Sequence, residues 1–214
     1  IRDAEAMLET FQHLASTDSG LDASVLAAAQ DFLGRRKEQL TAEGDSVGEQ
    51  VHAVCALLTE ALPRIPAWPL AGGGFSMIGS GLERVYRQGA RSFHRAYETG
   101  APADFHEWRK RVKDHWYHLR LLSDIWPGVM RGHRRSLRDL SELVGDHHNL
   151  AVLWELFAAA PELPPRLKTE LDGCIHARMQ ALEKLAQRVG ALVYAETPGA
   201  LRRRLKRYWQ SWRK

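Results

Sequence analysis

Chemistry in this sequence concentrates between Phe105 and Arg120, where hydrogen-bond donors recur at helical spacing. On a 3.6-residue helix, His106, Arg109, Lys110, Lys113, Tyr117 and Arg120 fall within an arc of roughly 100°. Phe105, Trp108, Val112, Trp116, Leu119 and Trp126 take the adjoining arc and are expected to pack on the core. From His106 to Arg120 the cationic row would extend ~21 Å. Cations three and four residues apart repel by a few tenths of a kcal/mol per pair. No carboxylate belongs to this row, because Glu107 and Asp114 lie elsewhere on the wheel, as do Arg111 and His118. A bound polyanion would turn that repulsion into attraction. The plain alternative is a solvated lysine-rich face.

A second row precedes the first. Arg84, Arg87, Arg91 and Arg95 share one helical face, opposite Leu82, Tyr86, Ala90, Phe93 and Tyr97, with Gln88 beside them and no carboxylate on the row. Arginine's planar fork donates two hydrogen bonds to phosphate oxygens, which lysine cannot match. The two helices are expected to be antiparallel neighbours whose rows could face each other across one groove. Arg138, from the crowd Arg131, His133, Arg134, Arg135 and Arg138, is expected to join it. Arg202, Arg203, Arg204, Lys206 and Arg207 read as well as a solubilising tail.

Other chemistries find less support. His115 and His118 are three apart and His147 and His148 adjacent; neither is the His-x-x-x-His spacing with a nearby glutamate that zinc needs, so no metal or cofactor is expected. Gly72-Gly73-Gly74 lacks the Lys-Ser/Thr of a phosphate-cradling loop, no nucleophile elbow appears, and no carboxylate pair adjoins the basic rows. The sequence therefore reads as a binder and not an enzyme, with phosphohydrolase activity the weaker alternative. A nucleic-acid backbone is the rival ligand, since counterion release is blind to sequence. Against it, the aromatics fall on core-facing arcs, leaving no base-stacking platform. A scaffold for a protein partner would show an exposed apolar stripe, and the wheels leave none unclaimed.

These rows must be carried by helices. The chain has 214 residues, 44% hydrophobic and 26% charged, with 30 Lys+Arg against 26 Asp+Glu. That is globular chemistry, and a formal charge of +4 predicts no polyanion partner unless placement does so. Cys55 and Cys174 are far apart, which argues against disulfides and zinc knuckles and fits a reducing, cytoplasmic compartment. No apolar run approaches the roughly 18 residues a membrane span needs, and no membrane partner is expected. The opening Ile1-Arg2-Asp3 has no signal-peptide character and no initiator Met, so the chain is expected to begin part-way through a longer protein.

Periodicity is helical throughout, so the expected class is all-α, built of antiparallel bundles. The pattern predicts helices over 2–15, about 21–43, and from an Asp45 or Ser46 cap to Leu62, with stops at Thr17-Asp18-Ser19-Gly20 and at Gly44. Pro66–Gly74 marks the boundary between a partial first bundle (1–65) and a second (79–214), with 66–78 as linker. Further helices are predicted over about 78–98, 102–126 and 130–144. Gly145 ends the last of these and Asp146 caps another over 147–159. Two more cover about 165–190 and Pro198 to the C-terminus.

One repeat emerges. Residues 2–11 align without gaps on 148–157, sharing acid or amide at 3 and 149, Met or Leu at 7 and 153, Glu at 9 and 155, and Phe at 11 and 157. This points to a duplicated bundle. A long basic helix precedes residue 148, and its counterpart ahead of residue 2 is absent, which would leave the N-terminal half incomplete.

The pattern His106-x-x-Arg109-Lys110-x-x-Lys113, followed by Leu140-x-x-Leu143-Val144-Gly145-Asp146-x-x-Asn149-Leu150, resembles the conserved-histidine alpha-helical domain, CHAD. Arg84-Val85-Tyr86-Arg87-x-Gly89-x-Arg91 is similar to that family's preceding helix, and Arg2-Asp3-x-Glu5-x-Met7 to its first-half counterpart of Gly-Asp-x-x-Asn. The resemblance implies two pseudo-symmetric helical halves around a basic groove, affinity for inorganic polyphosphate, no chemistry of its own, and a place beside triphosphate-tunnel domains or at polyphosphate granules. Carried over by position, it assigns binding to His106, Arg109, Lys110 and Lys113 with Arg84, Arg87 and Arg91; the basic rows add Arg120 and Arg138. The first-half His-x-x-Arg motif is not present, which implies that it was cleaved away or that a second chain supplies it.

Overall fold

In a computed structural model, residues 2–17, 20–42, 46–69 and 72–214 are described, and the side chains of Arg2, Asp3, Ser46, Val47 and Glu49 are not among them. The stop at Asp18-Ser19, the end at Gly44, the cap at Asp45 or Ser46, the repeat position Asp3 and the linker residues Leu70 and Ala71 therefore lie outside the described residues. The order is α1 (Arg2–Thr17), α2 (Ala23–Ala42), α3 (Ser46–Ala61), a 3₁₀ segment (Leu62–Ala67), α4 (Ser76–Thr99), α5 (Pro102–Leu121), a 3₁₀ turn (Ser123–Ile125), α6 (Pro127–Ala159), α7 (Pro165–Val193) and α8 (Pro198–Trp212). No strand occurs among the described residues. Among the described residues, no helix is long and apolar enough to cross a membrane.

Local chemistry sets the ends. Pro102, Pro127, Pro165 and Pro198 open their helices, where the missing N–H costs nothing. Thr197 caps α8 by accepting a hydrogen bond from the Ala200 amide. Gly100 closes α4 at φ 65°, a left-handed conformation that glycine adopts freely.

The main correction concerns Gly145 and Asp146. They neither end nor cap a helix, because α6 runs unbroken through both for 33 residues. A glycine inside a helix costs only about 1 kcal/mol relative to alanine. Burial of Leu137, Leu140, Val144, His147, Leu150 and Ala151 along one side offsets that.

Two cores result, and α6 and α7 run through both. One joins Met7, Phe11 and Leu14 of α1, Phe32 and Leu33 of α2, Leu153 and Phe157 of α6, and Leu171 and Ile175 of α7. In it the aligned repeat phenylalanines meet edge to face, Phe11 against Phe157, with centroids 5.9 Å apart. The other joins Leu82, Tyr86 and Phe93 of α4, Trp108, Val112 and Leu119 of α5, Leu137 and Leu140 of α6, and Leu201 and Leu205 of α8. The first core thus draws on both sides of segment 66–78. Trp126, expected in the core, is 49% exposed; α5 ends at Leu121, so the helical phase that placed it inward does not reach it.

Glycine allows the approach that fixes α5. A Cβ at Gly190 of α7 would lie 2.8 Å from the Phe93 ring and 2.9 Å from that of Trp108. With Trp108 wholly buried there, the neighbouring Arg109 is carried to the edge of the helix and toward α6.

Candidate functional site

The short 3₁₀ turn after α5 returns the chain so that α6 packs along it in the opposite direction. The end of one cationic row therefore meets the start of another. Near the start of α5, His106 stacks on His148 of α6, with ring centroids 4.2 Å apart. One turn on, the Arg109 Nε lies 3.7 Å from where a side chain at Gly145 would begin. Near the end of α5, Trp116 and four arginines of α6, Arg131, Arg134, Arg135 and Arg138, line a cavity of about 350 Å³. The Arg120 guanidinium sits 5.8 Å over the Trp116 ring, a cation–π arrangement.

Along α6, residues 131, 134, 138, 141, 145 and 148 recur at helical spacing on one stripe. The stripe was hidden by the assumption that a helix ended at Gly145. Carrying the same wheel through that glycine would have found Arg131, Arg134 and His148, which sequence reasoning left aside.

The electrostatics of this face are those of unrelieved cations. Arg109, Lys113, Arg120, Arg131, Arg134 and Arg135 make no ion pair among the described residues. The Arg109 and Arg134 Nε atoms and the His106 Nδ1 are buried without a hydrogen-bond partner. Burial, then the neighbouring His106 and Arg109, push the His148 imidazole down to about 4.

Two residues expected on the face are partly engaged. Lys110 pairs with Glu107, which also accepts hydrogen bonds from Arg111 at 2.8 and 2.9 Å. Those bonds, Lys110 first and Arg111 next, hold the Glu107 carboxyl below its usual range. Glu107 is off the row, yet a lysine side chain is long enough to reach it. Arg138 has Asp139 at 3.5 Å and Glu142 at 3.6 Å.

The α4 row differs from expectation. Its arginines lie opposite the buried Leu82, Tyr86, Gly89 and Phe93 and are exposed. The row is not free of acid. Arg87 pairs with Glu83 at 2.5 Å, Glu83 also meets Arg202 of α8 at 3.2 Å, and Arg95 pairs with Asp104 at 2.8 Å. Arg84 and Arg91 are exposed and outside these pairs.

The histidines divide by role. His115 is wholly buried against Tyr86 and His133, and burial pushes it down to about 3. His147 meets the Glu183 carboxylate at 3.0 Å inside the bundle. Among the described residues, no three His, Cys, Asp or Glu side chains are grouped to hold a metal ion. Asp146 and Asn149 point the other way from Gly145, into a cleft of about 200 Å³ shared with Glu9, His13 and Arg178. Burial raises the Asp146 carboxyl, and His13 and Arg178 partly counter it.

With this geometry in hand, a family model described as CHAD domain matches residues 1–158. No curated protein and no solved structure matches.

Proposed function

The chain belongs to the CHAD domain family, and on that premise we propose that it binds inorganic polyphosphate along the α5–α6 face without performing chemistry on it. The observation that carries this reading is the meeting of Arg109, His106 and His148 with the Trp116 arginine cavity on one side of two antiparallel helices, where Arg109, Arg131, Arg134 and Arg135 make no ion pair among the described residues. From Arg131 to His148 the α6 stripe extends ~26 Å, beside an α5 row of similar length. A flexible chain of phosphates fits a strip of that shape, because each unit presents fresh oxygens to the next turn's donors. Binding rather than turnover is favoured by the side chains themselves, which are donors and one indole. Cytoplasmic location at polyphosphate granules belongs to the same reading.

A nucleic-acid backbone is the second reading, and one observation favours it. Trp116 is at the rim of the basic cavity and Tyr117 is exposed beside it, so the aromatics are not all spent on the core and bases have something to stack on. Competition separates the two. Labelled polyphosphate is titrated at two salt concentrations, then displaced with single-stranded and duplex DNA at equal phosphate. Steep salt dependence with polyphosphate preferred is expected; displacement by DNA at equal or lower phosphate would reverse the ranking.

A further inference from the structure

The donors of the α5–α6 strip are spread unevenly. Toward one end stand Arg109 and the stacked rings of His106 and His148. At the other, Arg131, Arg134, Arg135 and Arg138 of α6 line a single cavity with Trp116 of α5, and the Arg120 guanidinium lies over the Trp116 ring. The strip also stops here. Arg120 is the last cation of α5 and Arg131 the first of α6, and the residues between them hold the turn that joins the two helices.

Such crowding is unfavourable by itself. Each of the four α6 arginines is three or four residues from two of the others, and like charges at those spacings destabilise a helix. Acids relieve Arg138, which has Asp139 and Glu142 nearby, while Arg131, Arg134 and Arg135 make no ion pair among the described residues. The Arg134 Nε is buried and has no hydrogen-bond partner, an unfavourable state for a charged donor. A ligand that brings many oxygens and much charge to this one place would reverse both effects.

The cavity, of about 350 Å³, is at the small end of the range for ligand pockets and suits a compact group. The two kinds of phosphate in a linear polyphosphate differ in the respect that matters. An internal unit shares one negative charge between two free oxygens, whereas a terminal unit has three free oxygens and carries close to two charges near neutral pH. Arginine forks meet phosphate oxygens in pairs, so a cluster of forks is best matched by the unit with the most oxygens. The indole wall excludes water from one side, which strengthens each contact.

Taking polyphosphate as the ligand of the strip, we propose that the Trp116–arginine cavity is a terminal-phosphate site, which anchors one end of the chain while the units behind it run along α5 and α6 toward His148. Internal stretches of chain then occupy the strip without the anchor and bind more weakly.

The test compares a polyphosphate of narrow length distribution with the same material capped at both ends as methylamine phosphoramidates. Capping removes one oxygen and one charge from each terminal unit and barely alters the total charge of a long chain, so the difference isolates the ends. The 214-residue protein is expected to bind uncapped chains about tenfold tighter, the effect of one charge-assisted hydrogen bond. Arg131→Gln with Arg135→Gln, both exposed, should abolish that difference, and Arg134→Gln should reduce it. Arg109→Ala with Lys113→Ala, outside the cavity, should weaken both forms and preserve their ratio. Equal binding of capped and uncapped chains would overturn the end site and leave the polyphosphate reading standing. So would a difference that survives in the Arg131 and Arg135 double variant. Binding of neither form would remove the polyphosphate reading itself, and the end site with it.

Discussion

α4 and α5 each carry a row of cations, and the two rows end in different company. The α4 arginines face away from the core, and two of the four spend their forks on Glu83 and Asp104. The α5 row shares its side with a second cationic stripe on α6, and Arg109, Lys113 and Arg120 stay free of ion pairs. Similar numbers of charges thus give two unlike surfaces. The exposed pairs on α4 are each worth only about 0–1 kcal/mol, so energy is not what separates the rows. Company is: the α5–α6 face gathers donors from two helices onto one strip, while Glu83 and Asp104 neutralise part of the α4 row.

The largest effect should come from cutting that strip. Arg109→Ala with Lys113→Ala is expected to weaken polyphosphate binding about a hundredfold, from charge-assisted hydrogen bonds of roughly 1.5–3 kcal/mol apiece. Arg84→Ala with Arg91→Ala should change it less than about threefold. Fluorescence anisotropy on both variants, with circular dichroism to check folding, reads the contrast; equal losses would erase the distinction between the rows.

A smaller effect comes from pH. His148 is held down to about 4 by burial beside His106 and Arg109, so in the free protein it is neutral near pH 7. A phosphate oxygen beside it favours the protonated ring, and the bound state then takes up protons. Affinity should therefore rise as pH falls from about 6.5 toward 4, by roughly tenfold for each unit that binding restores. His148→Asn should flatten that slope, and a slope unchanged in the variant would remove His148 from the face. Stability runs the other way. His115 at about 3 and His148 at about 4 are both below their ordinary value, so the unfolded chain is protonated first. Their contribution is complete above about 6.5 and declines as pH falls toward 3–4, at up to about 1.4 kcal/mol per unit for each group. Urea melts at stepped pH measure it.

Gly145→Ala tests the α6 stripe at smaller scale. The new methyl would lie at ordinary contact distance from Arg109, so it should stabilise the protein by about 0.5–1 kcal/mol. A loss of stability would mean that the helix breaks at Gly145 after all. Smallest of all, Glu107→Gln releases Lys110 to the strip and should tighten polyphosphate binding about two- to threefold; weaker binding would show that Glu107 is needed to position Lys110.

Much of this was legible in the residues. Proline at the first helical turn placed the starts of α5, α7 and α8 and Gly100 the end of α4, and the alternation of faces on α5 matched the buried Phe105, Trp108, Val112 and Leu119. Gly145-Asp146 misled because a glycine followed by an acid is a good stop and start signal taken locally. The apolar repeat from Leu137 to Phe157 overrides it only when the whole helix has a core to bury against. Val51, Val54, Leu58 and Leu62 misled in the opposite sense: their spacing implies a buried face, yet Val51 and Val54 are 54% exposed, Leu58 60% and Leu62 62%.

The sequence alone determined that the chain is helical, which face of each helix is apolar, and that α5 bears a cationic row, because side-chain direction around a helix axis follows from residue number. Which neighbour each face meets was decided by the tertiary structure. The tight turn at Ser123–Ile125 lays α6 along α5 and pairs His106 with His148, while the packing of α4 on the core turns its arginines outward. Spacing along one helix carries no information about the rotation of the next, and that rotation is set by how the two buried faces fill a shared core.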